Sequence, residues 1–159
     1  MTLRIRAGEK PDVHLIADLI RGLAQFERLE EQVTMSEEKL DRFMFGGRAY
    51  AETLIAEDDG QPVGFALFFH NFSTFLGQPG LYLEDLFVLP EGRGKGAGRK
   101  LLERLAQIAV ERDCGRVEWA VLDWNEDAIR FYKRLGATPN EDWTVYRLTG
   151  EPLRALAGQ

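Results

Sequence analysis

Cysteine, histidine and long apolar runs are all scarce in this chain of 159 residues. Its one cysteine, Cys114, cannot form an intramolecular disulfide, which favours a reducing compartment. Two histidines and one cysteine give no metal-ligand spacing, so we expect no bound metal. No apolar run approaches the roughly 20 residues that a membrane helix requires, and the opening MTLRIRAGEKPD has no signal-peptide core. We therefore expect a cytoplasmic protein that does not associate with a membrane.

Charge and composition favour a single acidic domain. The chain has 20 Lys and Arg against 26 Asp and Glu, a net charge of −6 at pH 7. This balance argues against nucleic acid as a partner and permits cationic ligands. With 45% hydrophobic residues, a chain of this length can bury about 70% of its unfolded surface. No repeat, linker or low-complexity tract interrupts it, so we expect one domain over residues 1–159.

Hydrophobic periodicity and turn residues predict the element order β-α-α-β-β-β-α-β-α-β, with a hairpin turn at residues 58–60. Strands are expected at residues 3–7, 50–57, 62–70, 81–89, 117–122 and 143–148, and helices at 11–30, 34–45, after the glycine-rich turn, and at 125–135. The interpretation is an α+β fold, mostly antiparallel, with one right-handed βαβ unit.

The most informative stretch is LYLEDLFVLPEGRGKGAGRK, residues 81–100, where a strand runs through a glycine-rich turn into a helix. The first N–H groups of a helix have no intrahelical partner, and the helix dipole places positive charge there. Gly94, Gly96 and Gly98 lack the Cβ atoms that would keep a phosphate away. The neighbouring Arg93, Lys95, Arg99 and Lys100 add positive charge. This pattern predicts a pyrophosphate site.

Two other phosphate motifs compete for this turn. A P-loop requires Gly-Lys-Ser or Gly-Lys-Thr, and neither occurs in the chain. The dinucleotide fingerprint can be laid over Gly92, Gly94 and Ala97. However, the preceding strand carries the acids Glu84 and Asp85, unlike the apolar strand of a doubly wound sheet. A dinucleotide-binding oxidoreductase remains the weaker alternative.

A third motif, R-x-x-G-x-G, begins at Arg93 as RGKGAG. Together with LYLEDLFVLPEGRGKGAG, the later WNEDAIRFYKRLGA and the early LAQFERLEEQV, it resembles the GNAT superfamily of N-acetyltransferases. The blocks are similar to the diamine (spermidine/spermine) N-acetyltransferase branch, and the likeness covers most of residues 3–148.

The resemblance implies a GNAT fold with helices on both faces of the sheet. Its fourth strand would carry a bulge, and strands four and five would splay apart so that pantetheine pairs with the exposed edge. It also implies acetyl-CoA as co-substrate, direct acetyl transfer to a small cationic primary amine (a diamine, a polyamine or a lysine-like thioether amine) and a homodimer. The positions that match cofactor contacts are Leu86, Phe87, Val88, Arg93, Gly94, Lys95, Gly96, Ala97, Gly98, Arg99, Asn125 and Ala128.

By the same resemblance, Tyr132 is the candidate acid that protonates the departing thiolate, although its helical spacing also suits a core tyrosine. Glu84 is the candidate that draws a proton from the amine, through water, with Asp85 expected to turn the other way near the bulge. A solvated sheet surface is the alternative for both acids. Asn125 has the side chain of a helix N-cap.

Substrate contacts are expected at Phe26 and Glu27, at Glu84 and at Glu141. The diamine branch commonly has tyrosine at the position of Phe26, so one hydrogen bond is missing here. Glu30 and Glu31 would share a helix face with Glu27 and attract a polycation, unless they form an ordinary solvated face. A non-catalytic acetyl-CoA-binding module is the alternative of a different class, and it would not need both Tyr132 and Glu84.

Overall fold

The structure, a computed structural model, describes residues 2–159. Its strands are β1 (Leu3–Ala7), β2 (Glu52–Asp58), β3 (Gln61–Ser73), β4 (Gln78–Val88) and β5 (Val117–Trp119). Its α-helices are α1 (Val13–Phe26), α2 (Glu37–Phe45), α3 (Ala97–Glu111), α4 (Glu126–Arg134) and α5 (Gly150–Leu156). The chain divides into two compact units, which are described separately: the first ends at Ala120 and the second is Val121–Gln159.

The first unit contains one five-stranded sheet with the strand order β1-β2-β3-β4-β5. All neighbours are antiparallel except β4 and β5, which are parallel. This arrangement confirms the expected mostly antiparallel α+β fold. The β4–β5 pairing joins only Leu81–Leu83 to Val117–Trp119, whereas β4 continues to Val88. The second half of β4 therefore has a strand neighbour on one side only among the described residues.

The β2–β3 hairpin has the turn that its sequence predicts. Asp58 pairs with Gln61, and the two residues between them, Asp59 and Gly60, have φ values of 50° and 83°. Two consecutive left-handed residues define a type I′ turn, whose twist matches that of the flanking strands. The hairpin expected at residues 58–60 is confirmed.

Helices α1 and α2 cover one face of the sheet. Leu19 and Leu23 of α1 pack against Phe65 and Phe87 of the strands. A second cluster on the same face consists of Ile16, Met44 and Ile55. Because alternate residues of a strand point to opposite faces, Ile5, which pairs with Ala56, faces away from these clusters.

Helix α3 covers the opposite face. Ile108 of α3 lines a cavity together with Ile5 and Phe68, whose side chains point away from α1. Leu101 and Leu105 of the same helix are completely buried. The sheet thus has helices on both faces, as the family resemblance implied. No helix between residues 2 and 159 is long and apolar enough to cross a membrane.

Two helix boundaries differ from the sequence prediction. The first helix was expected to reach residue 30, but α1 ends at Phe26 and Arg28 has a φ of 61°. The second helix was expected to open with a capping box at Thr34, yet Ser36 is the N-cap and its hydroxyl accepts a hydrogen bond from the backbone N–H of Lys39. Ser36 is the equivalent cap one half-turn later, and sequence patterns place such ends only approximately.

The second unit contains α4 and α5. The strand predicted at residues 143–148 is wrong: no strand forms there, and Trp143 and Tyr146 are 77% and 93% exposed. The apolar pattern of a strand is realised only when a neighbouring strand is available to pair with it. Helix α5, Gly150–Leu156, was not predicted. The strand expected at residues 117–122 is also shorter, since β5 ends at Trp119 in the first unit.

Candidate active site

The centre of β4 carries a β-bulge at the acid pair. Leu67 of β3 pairs with Asp85 and the next residue, Phe68, pairs with Leu83, so Glu84 is the extra residue without a partner across the ladder. A bulge of this kind bends the strand and redirects the side chains on either side of it. The side chain of Glu84 is exposed, whereas that of Asp85 is partly buried.

Asp85 is the most strongly perturbed acid of this region. Burial is the largest cause, and together with the negative charges of Glu84 and Glu27 it raises the pKa of the Asp85 carboxyl to about 7. The sequence interpretation placed Glu84 at the amine site and expected Asp85 to turn the other way. The bulge at Glu84 instead leaves Asp85 on the face that carries α1, where the charge of Glu27 acts on its carboxyl. A carboxyl group with a pKa near 7 can both accept and release a proton at neutral pH.

The end of α1 forms one wall beside these acids. Phe26 is the last residue of α1, and its ring centroid lies 6.4 Å from that of Phe87 on β4. Glu27 caps the helix, and burial raises the pKa of its carboxyl. The first unit thus brings together three of the predicted site residues, Phe26, Glu27 and Phe87, with Asp85, which follows the bulge.

Two further acids were expected on the helix face of Glu27, and this expectation is wrong. Because Arg28 adopts a left-handed conformation, the chain leaves the helix there. Glu30 and Glu31 belong to a separate 3₁₀ turn, Glu30–Gln32, rather than to α1. They do not continue the helical row that begins at Glu27.

The glycine-rich turn leads from β4 into α3 through a 3₁₀ turn, Pro90–Gly92. Gly92 packs on β3, since a Cβ there would lie 2.7 Å from the Cβ of Val63. Gly94 and Gly96 have φ values of 78° and 85°, and apart from their immediate chain neighbours no atom within residues 2–159 lies within 4 Å of where their Cβ would be. Gly96 is the N-cap of α3 and provides no side chain to cap the helix, so the first N–H groups of α3 are available to an anion.

Three of the cations in this loop are engaged with other groups. The guanidinium of Arg93 lies 4.9 Å from the ring centroid of Phe26, and its Nε donates to the carbonyl of Val88 at 3.0 Å. Lys95 pairs with an acid of β2. Arg99 pairs with Glu103 one turn further along α3. Two of these cations, Lys95 and Arg99, are paired with carboxylates, so the uncapped backbone N–H groups of α3 are important anion donors beside the remaining positive charge.

The second unit carries the other predicted residues. Asn125 caps α4, because its Oδ1 accepts a hydrogen bond from the backbone N–H of Ala128 at 3.3 Å. Tyr132 lies on α4, partly buried, with its ring centroid 5.6 Å from that of Phe131. It is therefore not a fully buried core tyrosine. Glu141 is exposed in a turn after α4.

The comparison with protein families decides the identity of this fold. The model of the acetyltransferase (GNAT) family matches residues 16–137, which is well over half of the chain. The chain belongs to the GNAT acetyltransferase family. The family assignment leaves no support for the dinucleotide-binding alternative, since the glycine loop is accounted for by the acetyltransferase match. The match to the family model confirms the resemblance drawn from the three sequence blocks.

Three similar proteins match nearly the full length of the acetyltransferase. A thialysine N-epsilon-acetyltransferase from Mus musculus is 40% identical, with 98% of each chain covered. An L-ornithine N5-acetyltransferase from Arabidopsis thaliana is 32% identical, covering 98% of this chain and 88% of its own. Among solved structures, an integron cassette protein of V. cholerae has a TM-score of 0.83 and 27% identity, with 100% of this chain and 99% of that chain covered.

The first unit of the acetyltransferase has features that suit two parts of coenzyme A, its pantetheine chain and its pyrophosphate. The second half of β4 has no strand neighbour on the side of β5 among the described residues, so this edge can receive an extended amide chain such as pantetheine. The open sides of Gly94 and Gly96 leave room for phosphate oxygens beside the start of α3. No group of three or more His, Cys, Asp or Glu side chains that could hold a metal ion is found in the part of the chain that the structure describes.

Two contacts of the site were missed by sequence reasoning. Asp85 was recognised as half of an acid pair, but the direction of its side chain depends on which residue forms the bulge. The pairing of Lys95 with Asp58 joins residues 37 positions apart, and no local pattern indicates it.

Proposed function

We propose that this protein is an acetyl-CoA-dependent N-acetyltransferase that transfers the acetyl group directly to a primary amine of a small cationic molecule. A lysine-like thioether amine or another diamine is the preferred substrate, and a polyamine is the next. The observation that carries this proposal is the placement of Asp85 and Glu27 beside the bulged, half-paired strand that leads into the glycine loop.

Recognition of the amine would rest on the acids at the end of α1 and on the bulge. Asp85 and Glu27 both have raised pKa values, because burial makes their negative charges costly. An ammonium group placed between them would offset that cost. The names of the mouse and plant relatives, which specify thialysine and L-ornithine, support a substrate with a second cationic group.

The proton of the amine would pass to the same acids. An alkylammonium with a pKa of about 10.4 is over 99% protonated at neutral pH, so the enzyme must remove a proton before attack. Asp85, with a pKa of about 7, is suited to accept it. Glu84 is exposed on the bulge and gives the proton a route to solvent through water.

The backbone would hold the co-substrate. Acetyl-CoA supplies an activated acetyl thioester when it is bound. Leu86, Phe87 and Val88 would pair with its pantetheine through the free edge of β4, and the loop residues from Gly94 to Arg99 would take its pyrophosphate through their N–H groups. Further contacts are proposed for the cofactor-site residues Arg93, Lys95, Gly96, Ala97, Gly98, Asn125 and Ala128.

Two residues of the second unit complete the proposed reaction. The hydroxyl of Tyr132 would protonate the thiolate as it leaves, a modest assistance because a thiol with a pKa of about 8.5 is already a fair leaving group. Glu141 would contact the amine substrate, as would Phe26. The match of the family model to residues 16–137 spans both units and supports one acetyltransferase domain over residues 1–159. We also propose a homodimer, by analogy with the family, and a cytoplasmic location, which the single cysteine favours.

The experiment that tests this function is an amine panel assayed for CoA release with acetyl-CoA. The panel contains thialysine, ornithine, lysine, spermidine, putrescine and a monoamine, and mass spectrometry identifies the acetylated nitrogen. Acetylation of at least one diamine is expected. CoA binding without turnover of any amine would instead support the non-catalytic binding module.

A further inference from the structure

The glycine loop is tied to a distant hairpin by one ion pair. Lys95 Nζ lies 3.0 Å from Oδ2 of Asp58, the last residue of β2. Asp58 pairs with Leu3 on one side and Gln61 on the other, so its backbone is fixed within the sheet. The loop that connects β4 to α3 is therefore fastened to β2 through the side chain of Lys95.

The carboxylate of Asp58 depends on Lys95. Its side chain is only 13% exposed, and its Oδ1 is buried with no hydrogen-bond partner in the described residues. A buried carboxylate that loses its counter-charge is costly, so Lys95 is held at Asp58 and is not free to follow a ligand. An ammonium group has three N–H donors. Lys95 can keep the pair with Asp58 and still offer a donor to a phosphate oxygen.

The two segments joined by this ion pair differ in how firmly their backbones are held. The hairpin is anchored, because the N–H of Asp59 donates to the carbonyl of Thr2 at 2.9 Å and the N–H of Thr2 donates to Oδ1 of Asp59 at 3.0 Å. The loop has a glycine in a left-handed conformation on each side of Lys95, with open space beside both. Glycine has the largest backbone freedom of any residue. The ion pair of Lys95 therefore restricts the loop between two residues whose backbones have the most conformational freedom.

We propose that Asp58 is a positioning residue for coenzyme A binding, which fixes the glycine loop through Lys95 in the shape whose N–H groups take the pyrophosphate. This inference rests on the proposed function, since it assumes that the loop binds coenzyme A. Asp58 acts through Lys95 and touches no substrate. It strengthens binding of an anion although it is itself negative, because an ordered loop loses less conformational freedom on binding.

The test measures CoA affinity by calorimetry in the wild type, Asp58→Asn, Lys95→Met and the double variant. Asp58→Asn is expected to weaken CoA binding by about tenfold, which corresponds to about 1.4 kcal/mol. The double variant should bind no more weakly than Lys95→Met alone, because Asp58 has no effect once Lys95 is gone. Asp59→Asn is the matched control: it changes the neighbouring acid of the same turn and should leave the affinity unchanged.

A second readout separates positioning from loss of folding. The Michaelis constant for acetyl-CoA should rise in Asp58→Asn, whereas kcat/KM for S-acetylpantetheine, which lacks the pyrophosphate, should stay within about twofold. Lys95→Gln keeps a donor for Asp58 and removes the charge, so it should bind CoA more tightly than Lys95→Met, and this comparison remains valid if Asp58→Asn does not fold.

Tighter CoA binding by Asp58→Asn would overturn the inference, since simple repulsion by a nearby acid predicts that result. Three other results would also overturn it. They are additive effects on CoA affinity in the double variant, a loss of kcat/KM for S-acetylpantetheine as large as that for acetyl-CoA, and equal CoA affinities of Lys95→Gln and Lys95→Met. A wild-type protein that binds no CoA would contradict the proposed function itself. Wild-type binding with an unaffected Asp58→Asn would contradict only the role of Asp58.

Discussion

The carboxyl group of Asp85 on β4 lies within electrostatic reach of Glu27, the residue that caps α1. Burial and the charges of Glu84 and Glu27 together raise the pKa of Asp85 to about 7. A cation placed between Asp85 and Glu27 would have the opposite effect, because a nearby positive charge favours the carboxylate. Binding of an ammonium substrate and release of a proton are therefore linked at this point of the sheet.

The first prediction concerns the coupling of the two acids. Glu27→Gln removes one of the negative charges that raise the pKa of Asp85, so that pKa should fall below its wild-type value of about 7. Titration of the Asp85 carboxyl carbon by NMR in the free protein measures this directly. Glu31→Gln, which removes an acid from the separate 3₁₀ turn, is the control and should leave the titration unchanged. An unchanged pKa in Glu27→Gln would show that burial and Glu84 alone account for the shift.

The second prediction concerns stability. An unfolded Asp has a pKa of about 3.9, so between about pH 4 and pH 7 the folded protein holds a proton on Asp85 that the unfolded chain has released. The contribution of Asp85 to stability is therefore present at low pH and is lost as the pH rises towards about 7. The Asn side chain of Asp85→Asn cannot ionise. The free energy of unfolding of this variant minus that of the wild type should therefore rise by a few kcal/mol from pH 4 to pH 7 and then level off. Urea unfolding at several pH values checks this, and a gap that stays constant with pH would contradict it.

The third prediction concerns the glycine loop. Gly96→Val places a β-branched residue at a φ of 85° beside the start of α3, which costs about 1–2 kcal/mol in backbone strain and blocks the open side of the loop. CoA affinity should fall by tenfold or more. Gly77→Val is the matched control, because Gly77 also has a positive φ, of 65°, with open space beside it, but lies in the β3–β4 turn. Similar thermal destabilisation of both variants with loss of CoA binding only in Gly96→Val is the expected result, and equal CoA affinities would place the phosphate elsewhere.

The fourth prediction concerns Tyr132. Tyr132→Phe keeps the ring and its contact with Phe131, so α4 should stay folded. If the hydroxyl protonates the departing thiolate, turnover should fall by about 10²-fold, while the Michaelis constant for acetyl-CoA changes much less. Tyr146→Phe, at an exposed tyrosine of the same unit, should leave turnover unchanged. The loss should shrink with an acyl donor whose thiol is more acidic, and full activity of Tyr132→Phe would leave the acid unidentified.

Local signals in the sequence were sufficient for the β2–β3 hairpin and for the helix that follows the glycine loop. The Asp59-Gly60 turn fixes the β2–β3 register because both residues adopt left-handed conformations that suit them. The apolar stripe of α3 and the glycines before it placed that helix correctly. These features depend on neighbours within a few positions, which is the range over which sequence patterns act.

Features that depend on distant partners could not be predicted. The orientation of Asp85 follows from a bulge at Glu84, and a shift of one residue in the ladder would reverse it. The pair between Lys95 and Asp58 exists only because the loop meets the end of β2. At residues 143–148, an apolar pattern suggested a strand, but no partner strand forms beside it in the described chain.

The central claim is that acids at the end of α1 and on β4 select an amine that carries a second positive charge. At an effective dielectric constant near 20, opposite charges about 4 Å apart attract by about 4 kcal/mol before desolvation, enough to set specificity even if most is lost. The most direct measurement is kcat/KM with acetyl-CoA for thialysine or ornithine and for a monoamine of similar length, in the wild type and in Glu27→Gln. The wild type should have the higher kcat/KM for the diamine. Glu27→Gln should lower the kcat/KM for the diamine by about tenfold and that for the monoamine by less than about twofold. Equal losses for both amines, or a wild type that prefers the monoamine, would contradict the claim.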